Sequence, residues 1–176
     1  MAAIRPCALP DGSLLSPYAG SGGYADCYVA EVAGAVSHAE FVEAFYTSAV
    51  FKLERWVLRL LVSRPSTDAQ AKQLALGELG AFAAWSVEGR APNQLLLCDM
   101  AGRTRSWLMV SAAGGGGPTC TRLFFGSAVV PARSAAAGRG SLGPVFSALL
   151  GFHKLYSRVL LGAARSRLRA QRGGRR

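Results

Sequence analysis

Histidine is scarce in this chain: 176 residues hold only His38 and His153. No GxSxG elbow or HExxH pair accompanies them, so nothing marks a Ser or Cys nucleophile beside a carboxylate-oriented His. Acid is missing from the later part of the chain, where no side-chain carboxylate follows Asp99. The four cysteines, Cys7, Cys27, Cys98 and Cys120, form no CxxC and no Cys/His spacing of a zinc site. No metal and no cofactor is therefore expected. The thiols read as small core residues in a reducing compartment, with a disulfide pair as the alternative. Also missing is an apolar run near the ~18 residues that a spanning helix needs. The closest, Ser141 to Phe152, contains Gly143, Pro144 and Gly151 and is closed by His153 and Lys154. A secretory leader is not expected, because Pro6, Pro10, Asp11 and Gly12 interrupt the opening residues. These absences point to a cytoplasmic protein, at most peripheral to a membrane.

What is present suits one domain with a real core. Hydrophobic residues make up 51% and charged residues only 17%, which excludes a disordered chain over most of its length. The net charge of +10 is concentrated at the end, in Arg165, Arg167, Arg169, Arg172, Arg175 and Arg176. Residues 1–23, rich in Pro, Gly and Ser, read as an irregular lead-in. Residues 24–168 form the domain, and 169–176 a basic disordered tail.

Within the domain, YADCYVAEV reads as a strand with Tyr28, Ala30 and Val32 on one side. Ser37 then precedes Glu40 by three residues, the spacing of a capping box. Phe41, Ala44, Phe45 and Ala49 continue at helical spacing. In AVFKLERWVLRLLV the spacing predicts an apolar stripe of Val50, Leu53, Val57, Leu60 and Leu61, with Lys52, Arg55 and Arg59 opposite and Pro65 as the stop. Two helices, or one bent helix, are thus expected over about 38–63. STDAQAKQLALG has room for a short helix ending near Gly77.

From Gly80 onward the texture is that of a β-meander. GAFAAWSVE, QLLLCD, RSWLMVSA and TCTRLFFGSAVVPA alternate with the breakers EGRAPN, DMAGR and AAGGGGP. GGGGP lacks the Lys-Ser/Thr of a phosphate loop and reads as a hairpin loop. After a small-residue linker, ARSAAAGRGS, a helix opens at Gly143-Pro144. Val145, Leu149, Phe152, Tyr156, Val159 and Ala163 fall at steps of three and four, a stripe ~25 Å long. Lys154, Arg158 and Arg165 take the other side. Gly151 and Gly162 each cost such a helix ~1 kcal/mol relative to Ala unless close packing uses them. So broad a stripe needs a partner, and the meander is the one at hand.

The order of strand, helix pair, antiparallel meander and long C-terminal helix resembles the helix-grip fold of the START-like, polyketide cyclase and Bet v 1-like (SRPBCC) superfamily. More narrowly, LPDGSLLSPY, YADCYVAEV, AFYTSAVFKLERWVLRLLV, RTRSWLMV and LGPVFSALLGFHKLYSRVLLGAAR are similar to the bacterial family called domain of unknown function 2867. The resemblance implies an α+β domain in which a curved antiparallel sheet wraps the C-terminal helix around an apolar cavity. It carries no catalytic signature. Four strands are evident after the helix pair, where the superfamily usually has six. Either residues 64–79 hide a strand or the longest run is split.

If the resemblance holds, Trp85, Trp107, Met109 and Phe125 on the sheet, with Leu149, Phe152 and Tyr156 on the last helix, line that cavity or fill it. Aromatic and Met-lined hollows suit apolar ligands. His153 is a hydrogen-bonded group at the core edge, a polar ligand contact, or less readily a catalyst. His38 is expected at the surface. Asp26 opens an apolar strand and needs donors or a cation. It either serves a turn or pairs with His153 or an Arg. The arginine tail has no interleaved aromatics for base stacking, so sequence-specific nucleic-acid binding is not expected. Arg165, Arg167, Arg169 and Arg172 read as a solubilising end, as a weak contact with an anionic membrane surface, or as a non-specific nucleic-acid contact. The expected function is non-catalytic binding of a hydrophobic small molecule or lipid. The alternatives are a cyclase- or hydratase-like enzyme and a structural module with a filled interior.

Overall fold

The computed structural model describes residues 3–19, 24–62, 66–113, 119–130 and 144–173, the side chains of 54, 57–62 and 144–153 excepted. The chain is α+β, built on one seven-stranded antiparallel sheet with a long C-terminal helix packed on it. In chain order the elements are β1 (Arg5–Pro6), α1 (Ser16–Ala19), β2 (Tyr24–Ala33), α2 (His38–Tyr46), α3 (Ala49–Val62) and α4 (Asp68–Leu76). There follow β3 (Ala81–Phe82), β4 (Trp85–Ala91), β5 (Gln94–Asp99), β6 (Thr104–Ala112), β7 (Cys120–Val129) and α5 (Pro144–Gly173). The strand order β1-β2-β7-β6-β5-β4-β3 makes every step from β3 to β7 a neighbour in space. Only the excursion through α2–α4 separates β2 from the rest of the meander.

Local chemistry sets the helix ends. The Ser37 hydroxyl accepts the Glu40 amide at 3.2 Å while the Glu40 carboxylate accepts the Ser37 amide at 2.8 Å, which closes the capping box that starts α2. Thr67 and Gln70 repeat the device at α4, and Gly77 ends that helix in the left-handed region at φ 85°. Residues 68–76 are therefore helical and hide no strand. The extra strand comes instead from GAFAAWSVE, which breaks at Ala83 (φ 52°) into β3 and β4. The strands β6 and β7 flanking GGGGP pair through Ala112 and Thr121; the loop itself and the 132–141 linker lie outside the described residues.

Both faces of the sheet are covered. Tyr28, Ala30, Val32, Leu95, Leu97, Leu108 and Phe125 pack on one face against Phe41, Phe45, Leu74, Leu161 and Leu168 from the helices. On the other face Cys27, Val29, Leu96, Trp107, Met109 and Phe124 pack under Leu15, with Leu9, Leu14 and Tyr18 around them. The opening residues, expected to be an irregular lead-in, thus include a sheet strand and the lid of a second core. Gln94 ties that lid down. Its Oε1 accepts the Leu14 amide and the Trp107 indole N–H, both at 2.9 Å, and its Nε2 donates to the Gly12 carbonyl at 3.1 Å.

Two helical expectations are corrected. In α3 the expected faces hold in part: Val50 packs on the core and Lys52 is exposed, but Arg55 is buried, whereas Leu53 and Trp56 are exposed. Arg55 turns inward because it has partners there. It donates to Asp68 Oδ1 at 2.6 Å and Ser66 Oγ at 2.9 Å, and its guanidinium lies 5.7 Å from the Phe82 ring centre. In α5 Tyr156 and Leu160 pack on the core as the apolar stripe implied, but the fully covered side chains run on through Ser157, Leu161, Ala164 and Leu168, and Val159 faces out. The helix continues past the expected domain end at 168 to Gly173, so the first five residues of the expected disordered tail are helical.

Candidate functional site

Period-2 alternation sends Ser106 and Leu108 of β6 and Phe125 and Ser127 of β7 toward the helices, since Ser106 pairs with Ser127 and Leu108 with Phe125. Along this floor the large apolar residues give way to small polar ones near Thr104. Leu160 and Ser157 of α5 continue the wall above the floor. Large side chains meet small ones there without filling the space, and a cavity of about 360 Å³ remains between sheet and helices.

Its apolar wall is a set of rings. Phe45 of α2 lies 4.8 Å from Phe125 and 5.9 Å from Phe51 of α3. Trp85, half-buried at the start of β4, and Tyr156, half-buried on α5, close the sides. The β5–β6 turn forms the rim, where Met100 is 62% exposed. Asp99 on that rim is occupied by the turn itself. Its Oδ1 accepts the Arg103 amide at 2.7 Å and the Thr104 amide at 3.1 Å.

The polar lining includes an anomaly. Ser157 is fully buried, and its Oγ has no hydrogen-bond partner. A buried hydroxyl without a partner costs roughly 1–3 kcal/mol, and the wall of a cavity is where a guest can supply the missing partner. Ser127, by contrast, is engaged: its hydroxyl donates to Asp26 Oδ1 at 2.6 Å and its amide does so at 3.2 Å. The Tyr24 hydroxyl donates to the other oxygen at 3.0 Å. Burial, then the Asp26 charge, raise the Tyr24 pKa, which keeps that phenol a donor. Asp26 therefore joins β2 to β7 through Ser127, with Tyr24 as a further donor; the expected His153 partner lies outside the described side chains.

Of the sequence-predicted site residues, Trp85, Phe125 and Tyr156 come together at the cavity. Leu149, Phe152 and His153 lie outside the described side chains. Trp107 and Met109 do not line the cavity; both point into the second core on the opposite face. The pleat decides this, because residues one position from Ser106 and Leu108 must face the other way. Phe45, Phe51, Ser106 and Ser157 were not singled out as site residues. The readable signal was the recurrence of Ser and Thr on one side of β6 and β7 among bulky neighbours.

Three basic side chains of α5 have partners on the sheet side. Arg172, expected to meet an anionic surface, donates from Nη1 to the Ala33 carbonyl at 2.9 Å and from Nη2 to the Ala35 carbonyl. Arg165 and Arg167 are half-buried and Arg169 is exposed, all on the same continuous helix. The Arg158 guanidinium lies 5.2 Å from the Tyr28 ring centre, and Lys154 Nζ lies 5.8 Å from that of Tyr24. His38 is half-buried rather than exposed, away from the cavity lining, and burial lowers its pKa to about 4. Among the described residues, no group of three or more His, Cys, Asp or Glu is placed to hold a metal, and no helix is long and apolar enough to cross a membrane. No family model, curated protein or solved structure matches the chain.

Proposed function

We propose that the chain is a helix-grip binding protein of the START-like kind. In this reading it takes up a hydrophobic small molecule or lipid between sheet and C-terminal helix, without transforming it. One observation carries this: a cavity of about 360 Å³ walled by Phe45, Phe51, Phe125 and Leu160, with the unpartnered Ser157 hydroxyl in its lining. That volume falls in the range of small-ligand sites, which are mostly apolar with a few polar groups that set orientation. Apolar burial at ~25 cal/mol per Å2 would supply the affinity. The guest would carry one hydroxyl, carbonyl or carboxylate to meet Ser157. The Asp99 carboxylate on the rim, already committed to two backbone amides, supports binding over proton transfer.

Native mass spectrometry of the purified full chain tests this first, with an added mass that organic solvent extracts as the expected result. Protein stripped of lipid is then titrated with anilinonaphthalene sulfonate, and oleic acid is added as competitor. Saturable dye fluorescence that oleate displaces supports the reading. No adduct together with no saturable dye binding overturns it.

A further inference from the structure

The opening strand brings two thiols together on the face of the sheet opposite the cavity. Arg5 pairs with Val29 and Pro6 with Tyr28, so the next position in register sets Cys7 against Cys27. The Cys7 amide donates to the Cys27 carbonyl at 3.0 Å, and the two Sγ atoms are 3.1 Å apart. Directly opposed residues of antiparallel strands have Cα atoms ~4.5–5.5 Å apart, within the span that a disulfide requires. The sulfurs need only close a short gap, with no rearrangement of backbone.

We propose that Cys7 and Cys27 are a peroxide-oxidisable dithiol that forms a reversible disulfide and locks the N-terminal segment onto the back of the sheet. The two thiols have different parts. Cys7 is half-exposed, whereas Cys27 is 4% exposed. The hydrogen bond from Cys27, against some opposition from burial and with help from Arg5, holds the Cys7 thiol below its ordinary pKa. The same contact, with burial, pushes Cys27 up. Cys7 is thus the attacking sulfur. Its thiolate takes the distal oxygen of hydrogen peroxide, the O–O bond breaks, and the leaving hydroxide picks up a proton to become water. Cys27 then gives up its proton and attacks the Cys7 sulfenic sulfur, forming the S–S bond and expelling the oxygen as a second water. Two thiols are oxidised by two electrons, and one peroxide is reduced to two waters.

The consequence is local to the second core. β1 leads directly into Leu9, Leu14 and Leu15, which cover Val29, Trp107 and Phe124. A bond between β1 and β2 fastens that cover at its start. Cys98 and Cys120, on β5 and β7, serve as controls.

The experiment treats the full chain with hydrogen peroxide, denatures it, and labels free thiols with maleimide. Two of the four cysteines should become unreactive, with intact mass lower by two hydrogen atoms and a Cys7–Cys27 peptide on digestion. Dithiothreitol should restore all the labels, and the oxidised form should melt at a higher temperature than the reduced one. Cys7→Ser should abolish the loss of label, whereas Cys98→Ser and Cys120→Ser should retain it. If every thiol stays reactive, if Cys7 proceeds to sulfinic acid while Cys27 still labels, or if the bridge maps to Cys98 or Cys120, the proposal is wrong.

Discussion

At the scale of single residues, tolerance depends on what a side chain would meet. Gly126 of β7 sits on the back face, where an added methyl would lie 2.8 Å from Leu15 Cδ2, 2.9 Å from the Asp26 carbonyl oxygen and 3.0 Å from Trp107 Cε3. A leucine tip can move, but a sheet carbonyl and a buried indole cannot do so cheaply. Gly126→Ala should therefore lower stability by about 1–3 kcal/mol, read from urea denaturation. An unchanged midpoint would show that the lid over this face is loose. His38 gives a second residue-level prediction. Burial, aided by the Arg90 charge and opposed by the Leu108 backbone, lowers its folded pKa to about 4 from 6.5. Above pH 6.5 the ring is neutral in both states. Between about 6.5 and 4 only the unfolded chain takes up the proton, so stability must fall as pH falls through that window. The loss over the whole window is on the order of 3 kcal/mol. In His38→Gln the decline over this window should shrink, and equal pH profiles for both proteins would remove the assignment.

Elements are held by a few ties at their ends. α5 is fastened where Arg172 donates to the carbonyls of Ala33 and Ala35. The intervening Gly34 allows the approach, because its φ is 84° and a Cβ there would stand 2.7 Å from Arg172 Nη1. Arg172→Ala should cost about 0.5–1.5 kcal/mol and speed hydrogen exchange in the last turn of α5. Exchange that does not change in that turn would mean that Leu168, not Arg172, fixes the helix end. The same logic explains α3. Apolar periodicity placed Leu53 inside and Arg55 outside, but a guanidinium with Asp68, Ser66 and an aromatic ring around it outcompetes the stripe. Those partners lie eleven and thirteen residues away in the chain, so a local pattern does not reveal them.

On the scale of the whole molecule, the question is whether the space between sheet and helices is kept open for a guest. Ser157→Leu separates the possibilities. If the cavity is a binding site, leucine fills it, removes the unpartnered hydroxyl and suits the helix, so the variant should gain about 1 kcal/mol or more and lose dye and oleate binding at least ~10-fold. A gain in stability at the expense of binding is the signature of a site held open. If the interior is simply packed core, the added methyl groups cost about 1–3 kcal/mol instead, and a lowered melting temperature would sink the binding reading.

The chain determined by itself whatever depends on neighbours in sequence. The Ser37 cap, the Gly77 stop, the helix pair and the meander all rest on spacings of four residues or fewer, or on runs bounded by breakers. It also marked Trp85, Phe125 and Tyr156, large apolar groups on elements that had to face one another. Which way β5 and β6 face was beyond it. With helices on one side and the opening segment on the other, Leu95, Leu96 and Leu97 are all buried, so the alternation that reveals an inner face is erased. Only the pairing of Ser106 with Ser127 decided that Trp107 and Met109 belong to the back. Only the fold brought Cys7 to Cys27, and set the buried, unpartnered Ser157 hydroxyl among the residues that line the cavity. Such meetings depend on register and packing between distant segments, where a shift of one residue turns every side chain to the opposite face.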